Sequence, residues 1–523
     1  LLGSLVLAGA YPLVDPDEGR NAEIAREMAT SGDLIITHLA GMPYLDKPPG
    51  LFWGAALAIR LLGATPRAVR LPSALAACAT LIVLGRLAAR HMHRHLGLRH
   101  IDGALASGHV DGPLAPGRTD NRFVLRAVGL LAAAPLFAAL SAYVIFDMAL
   151  TLCVTIVWTE LAEEIRSGPN RTRRIVMFAA VTAGLLIKGP VMIAWAVGGS
   201  LVTALLLRGR EPLRWLAWWP GWLMVLGIAG GWFVLACRRY PEYPHYAFIE
   251  ESLERVTTGS FHRQQPFWFV PVVLAVGALP WSLTTPWGQL GRGRQGNERT
   301  GNQRTGSAQT GSAQTRDAGT GSARTRSAVT GPATHLRQND HLDRASRVAI
   351  GFALFAVLFF SASRSKLVTY LLPVVPMMAW LAAEAWSDAG RIRRGAWNAT
   401  LMYAALAVAF AFGIPALRSR ALVSIDDPAL IGMSVRAAHQ LAIACGILAV
   451  TCVCAALVRW RDVALVASLL FTPLVFVIGG PALARYAATQ SGAPLAQAIA
   501  RRADGKHVRF ESCYSPGTDF MLG

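Results

Sequence analysis

The sequence predicts an all-α polytopic membrane protein with about thirteen membrane-spanning helices. Hydrophobic residues make up 53% of its 523 residues, and the mean hydropathy is +0.40. Apolar runs of about span length follow one another along most of the chain. The Lys and Arg residues gather in short loops between these runs, as in the cytoplasmic loops of membrane proteins. The net charge of +19 therefore indicates membrane topology rather than nucleic-acid binding.

The predicted spans are apolar runs separated by polar or basic segments. They lie near residues 1–14, 67–89, 124–143, 147–165, 174–187, 189–207, 215–237, 267–287, 348–362, 367–387, 397–416, 438–458 and 463–480. The sequence starts inside the first run, so we expect that span to be incomplete and judge no targeting signal. Most of the seven cysteines fall inside apolar runs, so no disulfide framework or zinc spacing emerges.

One further apolar segment, 48–63, is about 16 residues long and contains Arg60, which makes it short for a span of ~20 residues. If this segment does not cross, the later arginine-rich loops all fall on one side, the cytoplasm. If it crosses, every later loop is inverted and the rule fails. We therefore predict that 48–63 is re-entrant or interfacial and that residues 12–66 form the first non-cytoplasmic loop.

The polar stretch at residues 15–50 of this loop carries a helix start. Asp15 is a candidate N-cap, Pro16 suits the first helical position, and Glu18 follows three residues after the cap. Gly32 ends the pattern, and the small and apolar residues between share one face, which predicts an amphipathic helix lying on a membrane surface. Asp17 and Glu18 fall in its first turn, where the helix dipole keeps carboxylates ionised. They either cap this helix or act in a site.

Two insertions are predicted to be flexible and cytoplasmic, at 91–121 and 288–347. The first contains His91, His93 and His95, for which a flexible surface tract is favoured over a metal site. The second is rich in Gly, Ser, Thr, Gln and Arg, a composition that cannot build a core. It contains a GxGxxG pattern at Gly291, but no strand precedes it, so no nucleotide site is predicted.

Ionisable residues at membrane depth are costly and are functional candidates. Asp147 stands between two apolar runs, where capping the second helix is the alternative explanation. Lys188 interrupts a long apolar stretch, where snorkelling to the interface is the alternative. The 238–266 loop adds His262 and Arg263, directly before a span.

The same face of the membrane gathers further charges. The turn SASRSKLVTY supplies Lys366 and Tyr370, and the first loop supplies Asp46 and Lys47. Cations suit a phosphate-bearing lipid, and carboxylates suit a divalent metal ion or a sugar. The sequence therefore predicts one chamber on the non-cytoplasmic side that contains Asp17, Lys47, Asp147, Lys188 and Arg263.

The residues of the first loop also carry a family resemblance. PDEGRNAEIAREMATSGDLIITHLAGMPYLDKPPGLFW closely resembles the first periplasmic loop of the bacterial lipid A aminoarabinose transferases. These are GT-C glycosyltransferases related to protein O-mannosyltransferases. Further similarities follow in the family's order: the acid at Asp147, then IKGP at 187–190, HYAFIEESLERV and HRQQPFWF at 245–269, GALPW at 277–281 and FFSASRSKLVTYLLP at 359–373.

The resemblance implies the GT-C fold, with thirteen spans, interfacial helices in the first periplasmic loop and a C-terminal periplasmic α/β domain. The sequence departs from the family pattern at Asn21, usually Tyr, and at Asp46, usually Glu. We divide the chain into a transmembrane glycosyltransferase domain, 1–480, and the start of a C-terminal periplasmic segment, 481–523, which is truncated or divergent.

The function implied by the resemblance is transfer of a sugar, 4-amino-4-deoxy-L-arabinose in this family, from undecaprenyl phosphate to lipid A. It places the protein in the bacterial inner membrane with a periplasmic active site, and it connects the protein with polymyxin resistance. The implied sites are catalytic (Asp17, Glu18 and Asp147), donor phosphate-binding (Lys47, Lys188, Arg263, Lys366 and Tyr370) and metal-binding (Asp46 and His262). No nucleotide cofactor is expected, and the metal ion is of unknown identity.

Two alternatives stay open. A GT-C enzyme similar to the protein O-mannosyltransferases would share this scaffold and differ in its sugar or acceptor. A lipid-linked sugar carrier without catalysis is the other. Transporters commonly show internal repeats with ionisable residues near the bilayer midplane. No repeat is evident here and the charges gather at one interface, which favours an enzyme.

Overall fold

The computed structural model describes residues 9, 11–107, 121–245, 265–285, 287, 341–363, 365–386, 389–413, 427–458, 462–502 and 515–522. For 92–107, 341–343, 389–393 and 502 it describes the backbone alone. These residues form a helical protein, with one two-stranded antiparallel ribbon in which His38 pairs with Pro43.

The first loop and the helices up to residue 245 come in the following order. They are α1 (Asp17–Ser31), β1 (His38–Leu39), β2 (Met42–Pro43), α2 (Gly50–Leu62), α3 (Pro66–Ser107), α4 (Arg122–Ala132), α5 (Pro135–Ser141), α6 (Phe146–Ser167), α7 (Arg171–Lys188), α8 (Val191–Leu207) and α9 (Trp219–Arg239). Both α8 and α9 contain a π-helical turn, and a short turn of helix, Tyr243–His245, follows α9.

The remaining helices complete the bundle. They are α10 (Phe269–Gly277), α11 (Trp281–Thr284), α12 (His341–Ala362), α13 (Val375–Ala385), α14 (Ala389–Val408), α15 (Pro428–Val458), α16 (Val463–Thr489), α17 (Ala493–Arg502) and α18 (Pro516–Leu522). A 3-10 segment, Val368–Val374, leads into α13, and a π-helical turn, Ala409–Gly413, extends α14.

The described part of the chain is a multi-pass membrane protein by the length and composition of its helices. Seven helices are long and apolar enough to cross a bilayer, or eight when α4 and α5, which meet at 67°, count as one span. This finding supports the coarse prediction without giving the count of thirteen. The predicted count also includes the run at 1–14, most of which lies outside the described residues. It further includes short helices such as α8 and helices with acidic residues at one end, such as α6.

The segment predicted to be re-entrant or interfacial forms α2. This helix has 13 residues and is therefore about 20 Å long, shorter than the hydrocarbon core. The guanidinium of Arg60 donates a hydrogen bond to the carbonyl of Ala29 at 2.8 Å, near the end of α1. The length of α2 agrees with the prediction, made from the positions of the arginine-rich loops, that 48–63 does not cross the membrane. Arg60 forms its hydrogen bond within the first loop.

Helix α1 corrects two predictions. Asp15 is not its N-cap, because Pro16 occupies that position and makes no side-chain cap. The Asp15 carboxylate instead accepts a hydrogen bond from the hydroxyl of Ser515 at 3.1 Å. The apolar face, with Ala22, Ala25 and Met28 buried, packs against α2, α18 and neighbouring loops rather than lying open to a membrane surface. The end of α1 is as predicted, since Gly32 has a left-handed φ of 74°.

The boundaries of the predicted insertions and tail also change. Helix α3 continues to Ser107, into the segment predicted to be flexible, because its Ala, Leu, Arg and His residues are compatible with a helix. In the second insertion, α12 begins at His341, and 288–340 lie outside the described residues. Helix α16 runs through Pro481, so the domain boundary predicted at 480 falls inside a helix.

The largest buried cluster lies among α3 to α16. A second cluster, with Phe52, Phe146 and Phe520 among its members, holds α1, α2 and α18 against the start of α6. The first loop is thereby fixed onto the end of the bundle where α6 begins and α7 ends. A cavity lined by charged and apolar side chains lies there.

Candidate functional site

A cavity of about 260 Å³ lies between the first loop and the ends of α6, α7 and α12. Its walls come from segments far apart in the sequence. The lining residues are Leu45, Asp46, Lys47, Pro48, Asp147, Leu150, Lys188, Gly189, Pro190, Val191, Ala194, Tyr243, Phe359, Phe360, Ser363, Ser365 and Tyr370. The fold therefore brings together five residues that the sequence singled out: Asp46, Lys47, Asp147, Lys188 and Tyr370.

Asp147 and Lys188 form an ion pair at this cavity. The Lys188 ammonium donates a hydrogen bond to Oδ1 of Asp147, and their side chains are 13% and 5% exposed, respectively. Asp147 lies in the first turn of α6 and Lys188 is the last residue of α7. The helix dipole favours an anion at the first position and a cation at the second. Because α6 and α7 are consecutive packed helices joined by a tight turn, these two ends meet.

Glycine allows the first loop to reach this pair. Gly189 ends α7 with a φ of 74°, which favours glycine. At Gly50, the first residue of α2, an added Cβ would lie 2.7 Å from the carbonyl oxygen of Leu186. The start of α2 therefore packs directly on the end of α7. This contact places the preceding residues, Asp46 and Lys47, in the wall of the same cavity.

Two polar contacts orient this part of the first loop. The hydroxyl of Tyr44 donates a hydrogen bond to Oδ2 of Asp46 at 3.0 Å. The ammonium of Lys47 donates to the backbone carbonyl of Asp46 at 3.0 Å. Lys47 thus contributes a second positive charge to the cavity, and the Asp46 carboxylate contributes a second negative one.

The turn after α12 forms another wall. Tyr370 lines the cavity, and its ring centroid lies 4.6 Å from the Lys188 ammonium, a cation–π distance. Lys366 is buried beside the cavity and donates hydrogen bonds to the carbonyls of Ser363, at 2.6 Å, and Gln265, at 3.0 Å. The structure therefore separates these two candidates: Tyr370 faces the cavity, and Lys366 holds backbone in place next to it. Arg364 lies outside the described residues.

The rest of the cavity wall is largely apolar. Leu150, Val191 and Ala194 lie on α6 and α8, and Phe359 and Phe360 on α12. Such a wall can accommodate hydrocarbon or the apolar face of a sugar beside the charged residues. The cavity therefore combines two cations, two carboxylates and an aliphatic and aromatic lining.

Two predicted catalytic residues do not line this cavity. The Asp17 side chain is 58% exposed, and its carboxylate accepts a hydrogen bond from Arg20 at 2.7 Å. Glu18 is completely buried, and its oxygens accept hydrogen bonds from Arg70 at 2.6 and 2.8 Å. They also accept from the backbone N–H groups of Val14 and Val144. Because Glu18 anchors the first turn of α1 inward, Asp17 faces the solvent.

Two predicted site residues fall in a segment that the structure does not describe. Arg263 and His262 lie outside the described residues. Asp46 is thus the one predicted metal ligand that the structure describes. Within the described ranges, no group of three His, Cys, Asp or Glu side chains could hold a metal ion. One carboxylate does not make a metal site, so the described residues alone do not provide one.

The sequence reasoning missed Arg70, which is fully buried in α3. Besides Glu18, it binds the backbone carbonyls of Tyr11 at 2.8 Å and Pro12 at 3.0 Å, and it lies over the Tyr11 ring at 4.1 Å. The signal was present, because Arg70 interrupts an apolar run as Lys188 does. Asn21, where the family pattern has Tyr, donates to the carbonyl of Val144 and does not line the cavity.

A further ion pair joins the first loop to α9. Arg239 donates a hydrogen bond to Oδ2 of Asp33 at 2.6 Å. Burial alone would raise the pKa of Asp33, but the backbone N–H groups of Ile35 and Ile36 and the charge of Arg239 outweigh it and hold the pKa below its ordinary value. This pair stays ionised near neutral pH and joins the first loop to α9 through residues that do not line the cavity.

Comparison with known proteins agrees with the family resemblance noted in the sequence. The chain is 25% identical over 395 residues to an undecaprenyl phosphate-alpha-4-amino-4-deoxy-L-arabinose arabinosyl transferase of Aeromonas salmonicida, covering 74% of this chain and 58% of the relative. A Pseudomonas aeruginosa PAO1 protein with the same description is 25% identical over 398 residues, or 73% and 57%. The chain thus spans less than two thirds of the length of these relatives. No protein-family model matches it.

Solved structures give the fold. ArnT from Cupriavidus metallidurans, in crystals bound to undecaprenyl phosphate, superposes with a TM-score of 0.73 and 22% identity. The alignment covers 100% of this chain and 82% of ArnT. The apo crystal structure gives a TM-score of 0.71 and 21% identity. The resemblance noted in the sequence is confirmed: the chain is similar in sequence to proteins described as undecaprenyl phosphate-aminoarabinose arabinosyltransferases and has the fold of the solved ArnT structures.

Proposed function

We propose that the protein is an integral-membrane glycosyltransferase that moves a sugar from undecaprenyl phosphate to lipid A or a related envelope acceptor. The sugar is 4-amino-4-deoxy-L-arabinose, as in the descriptions of its relatives. The single observation that carries this proposal is the cavity in which Lys47, Asp147 and Lys188 meet beside an apolar wall. Cations suit the donor phosphate, and the phenylalanines and aliphatic side chains suit the adjoining lipid.

The proposed chemistry follows from where charge develops. As the bond between C1 of the sugar and the phosphate oxygen breaks, its electron pair moves to that oxygen and the phosphate gains negative charge. Lys47 and Lys188 would stabilise this charge, and Arg263 would assist from the adjoining loop. Fixed cations of this kind act on the transition state more than on the substrate. Tyr370 orients Lys188, and Lys366 holds the neighbouring turn.

The acceptor decides whether a base is required. A lipid A phosphate is largely ionised near neutral pH, since its second pKa is about 6. Its oxygen would form the new bond to C1 without losing a proton, so positioning matters more than deprotonation. Asp147 would then stabilise the positive charge that develops on the sugar ring. Asp17 is proposed as an acceptor-side residue because its carboxylate is open to solvent.

Glu18 takes a supporting part in this proposal. Its carboxylate is fully engaged by Arg70 and two backbone N–H groups, which leaves it no capacity for substrate. Asp46 and His262 remain the proposed ligands of a divalent metal ion, which would supply positive charge near the donor. No step of the proposed transfer depends on that ion.

The proposed topology has thirteen spans in the bacterial inner membrane and a cavity that opens to the periplasm. It follows from the basic loops, which lie on one side if α2 does not cross. Cysteines introduced one at a time into the loops of the membrane-embedded protein and labelled with an impermeant maleimide test it. In intact cells, labelling is expected next to α2 and at the turn after α12, whereas a cysteine in the loop between α6 and α7 should be labelled only after the membrane is opened.

The function is tested by mass spectrometry of lipid A from cells with and without this protein. A mass increase equal to one aminoarabinose per modified phosphate is expected only with it. Lys47→Ala and Asp17→Asn should abolish the increase while the variants still insert in the membrane. Unchanged lipid A in cells that contain the intact protein would overturn lipid A as the acceptor. Full activity of Asp17→Asn would remove Asp17 from the site.

A further inference from the structure

The ion pair between Asp147 and Lys188 raises the question of how Lys188 can also serve a donor phosphate. The ammonium has three N–H donors, and the one directed at Asp147 is not available to a phosphate. Lys188 is already bonded to Asp147, and its ammonium rests against the Tyr370 ring. Both side chains line the same cavity. The ammonium therefore has an internal partner that any phosphate entering the cavity must compete with.

We propose that Lys188 is exchanged between Asp147 and the lipid phosphate, so that Asp147 is released only as the donor's phosphate gains charge. This inference rests on the proposed function and adds a positioning role within it. The donor is a phosphodiester with one negative charge, whereas the leaving undecaprenyl phosphate is a monoester carrying ≈ −1.5 to −2 near pH 7. The stronger anion attracts Lys188 more than the weaker one does.

The exchange links cleavage of the bond between C1 and the phosphate oxygen to stabilisation of the sugar by Asp147. While the C1–O bond is intact, Lys188 neutralises Asp147, and the carboxylate is a weak partner for the sugar. When the bond breaks, its electron pair stays on the phosphate oxygen and draws Lys188 across. The Asp147 carboxylate is then unpaired beside C1, where positive charge is developing and the acceptor oxygen forms the new bond. No proton and no further reactant is needed.

The cavity makes such an exchange feasible. The pair is largely buried but opens on a space of about 260 Å³, which leaves room for the ammonium to move. Tyr370 provides a neutral surface along which the ammonium keeps a favourable cation–π contact. By contrast, the guanidinium of Arg70 is held by Glu18 and two carbonyls and has no such freedom.

The test measures binding of undecaprenyl phosphate to the purified membrane protein in lipid nanodiscs, with undecaprenol as the ligand that lacks phosphate. Asp147→Asn frees Lys188 and should tighten binding of undecaprenyl phosphate about tenfold, roughly one charge-assisted hydrogen bond. Lys188→Gln should weaken it by about the same factor. Undecaprenol binding should not change in either variant.

The double variant separates exchange from simple repulsion between Asp147 and the phosphate. If Asp147 acts through Lys188, Asp147→Asn should have no effect in the Lys188→Gln background. If tightening persists in that background, the carboxylate merely repels phosphate and the exchange is overturned. Asp33→Asn is the matched control. The Asp33 carboxylate lies in the first loop and, like that of Asp147, is ion-paired, but it does not line the cavity. It should leave binding unchanged.

Two further outcomes are decisive. If no tightening occurs in Asp147→Asn although the unmodified protein binds undecaprenyl phosphate, the exchange is wrong and the proposed function stands. If the unmodified protein does not distinguish undecaprenyl phosphate from undecaprenol, the proposed donor site itself fails. Circular dichroism and the elution profile of each variant establish that it is folded.

Discussion

Two buried pairs of carboxylate and cation stand near each other in this protein, and they have different surroundings. Glu18 and Arg70 are both completely buried. The Glu18 oxygens accept hydrogen bonds from Arg70, Val14 and Val144, and Arg70 also lies over the Tyr11 ring. Asp147 and Lys188 line a cavity, and the described hydrogen bonds of the Asp147 carboxylate come from Lys188 alone. The first pair is saturated, and the second has capacity left for another molecule.

The comparison shows that burial of a charge does not by itself indicate a functional site. A buried pair with full hydrogen bonding fixes the positions of the segments that it joins. Glu18 and Arg70 connect α1, α3 and the approach to α6 in this way. A pair with unused hydrogen-bonding capacity at a cavity can exchange a partner for a ligand. The two pairs therefore predict different consequences of mutation.

The largest expected effect is on stability, from breaking the saturated pair. Arg70→Met leaves Glu18 buried without its counter-ion and should cost about 3 to 5 kcal/mol of unfolding free energy. The shift is measured by thermal unfolding of the purified protein in detergent. Arg60→Met is the matched control, since Arg60 is exposed and bonds a single carbonyl, and it should cost far less. Equal shifts for the two variants would contradict the distinction.

The next effect is on transfer, from breaking the pair at the cavity. Lys188→Met should lower kcat by about 10²- to 10³-fold, as loss of one preorganised group at a developing charge does. Its thermal unfolding should change less than that of Arg70→Met, because the cavity lets water reach Asp147. Lys47→Ala should abolish transfer, also with a smaller change in thermal unfolding than Arg70→Met. A variant at Lys188 that unfolds as readily as Arg70→Met but retains kcat would reverse the assignment of the two pairs.

A smaller effect is expected when both members of the saturated pair are replaced. The double variant Glu18→Leu with Arg70→Met removes the unpaired charge, so it should regain part of the about 3 to 5 kcal/mol lost in Arg70→Met alone. The regained stability is measured in the same unfolding assay. No regain would mean that the hydrogen bonds to Val14 and Val144, rather than the charge, carry the stability of this region.

How much the sequence revealed differs between these two pairs for a physical reason. Asp147, Lys188, Asp46 and Lys47 were found because ionisable residues at membrane depth are rare, and the positive-inside rule assigned them to one face. Arg70 is also an ionisable residue inside a predicted span, but it is not among the predicted site residues. Glu18 was assigned to catalysis because its position in a first helical turn does not reveal a partner 52 residues away.

The fold shows the same limit. The short length of α2 followed from local apolar length and from the charge of distant loops. The capping role predicted for Asp15 was wrong because its partner, Ser515, lies 500 residues away. The bend between α4 and α5 falls at Pro135, yet α16 continues through Pro481, so a proline alone does not determine where a helix ends. Periodicity in one segment contains no information about such contacts.

The smallest expected effect concerns Asp15, which is half-buried and hydrogen-bonded to the C-terminal segment. Burial raises the pKa of Asp15, against hydrogen bonds from Ser515 and from the backbone of the C-terminal segment. A raised pKa means that the packed state binds the proton more tightly. The contact between α1 and α18 should therefore be strongest below the ordinary aspartate range and weaken as the pH rises through the raised value.

Hydrogen exchange of residues 516–522, corrected for the intrinsic dependence on pH, measures this contact. Asp15→Asn should remove most of the dependence. Burial also raises the pKa of Glu23 on α1, and Asp519 lies near it. An unchanged dependence in Asp15→Asn would therefore assign the titration to that carboxylate pair instead.

The most direct test of the cavity as the donor-phosphate site is an experimental structure of this protein with undecaprenyl phosphate. We expect the phosphate within hydrogen-bond distance of the Lys47 and Lys188 ammonium groups, the prenyl chain against Phe359 and Phe360, and Asp147 separated from Lys188. A phosphate bound elsewhere, with the cavity empty and the Asp147–Lys188 pair intact, would contradict both the site and the exchange.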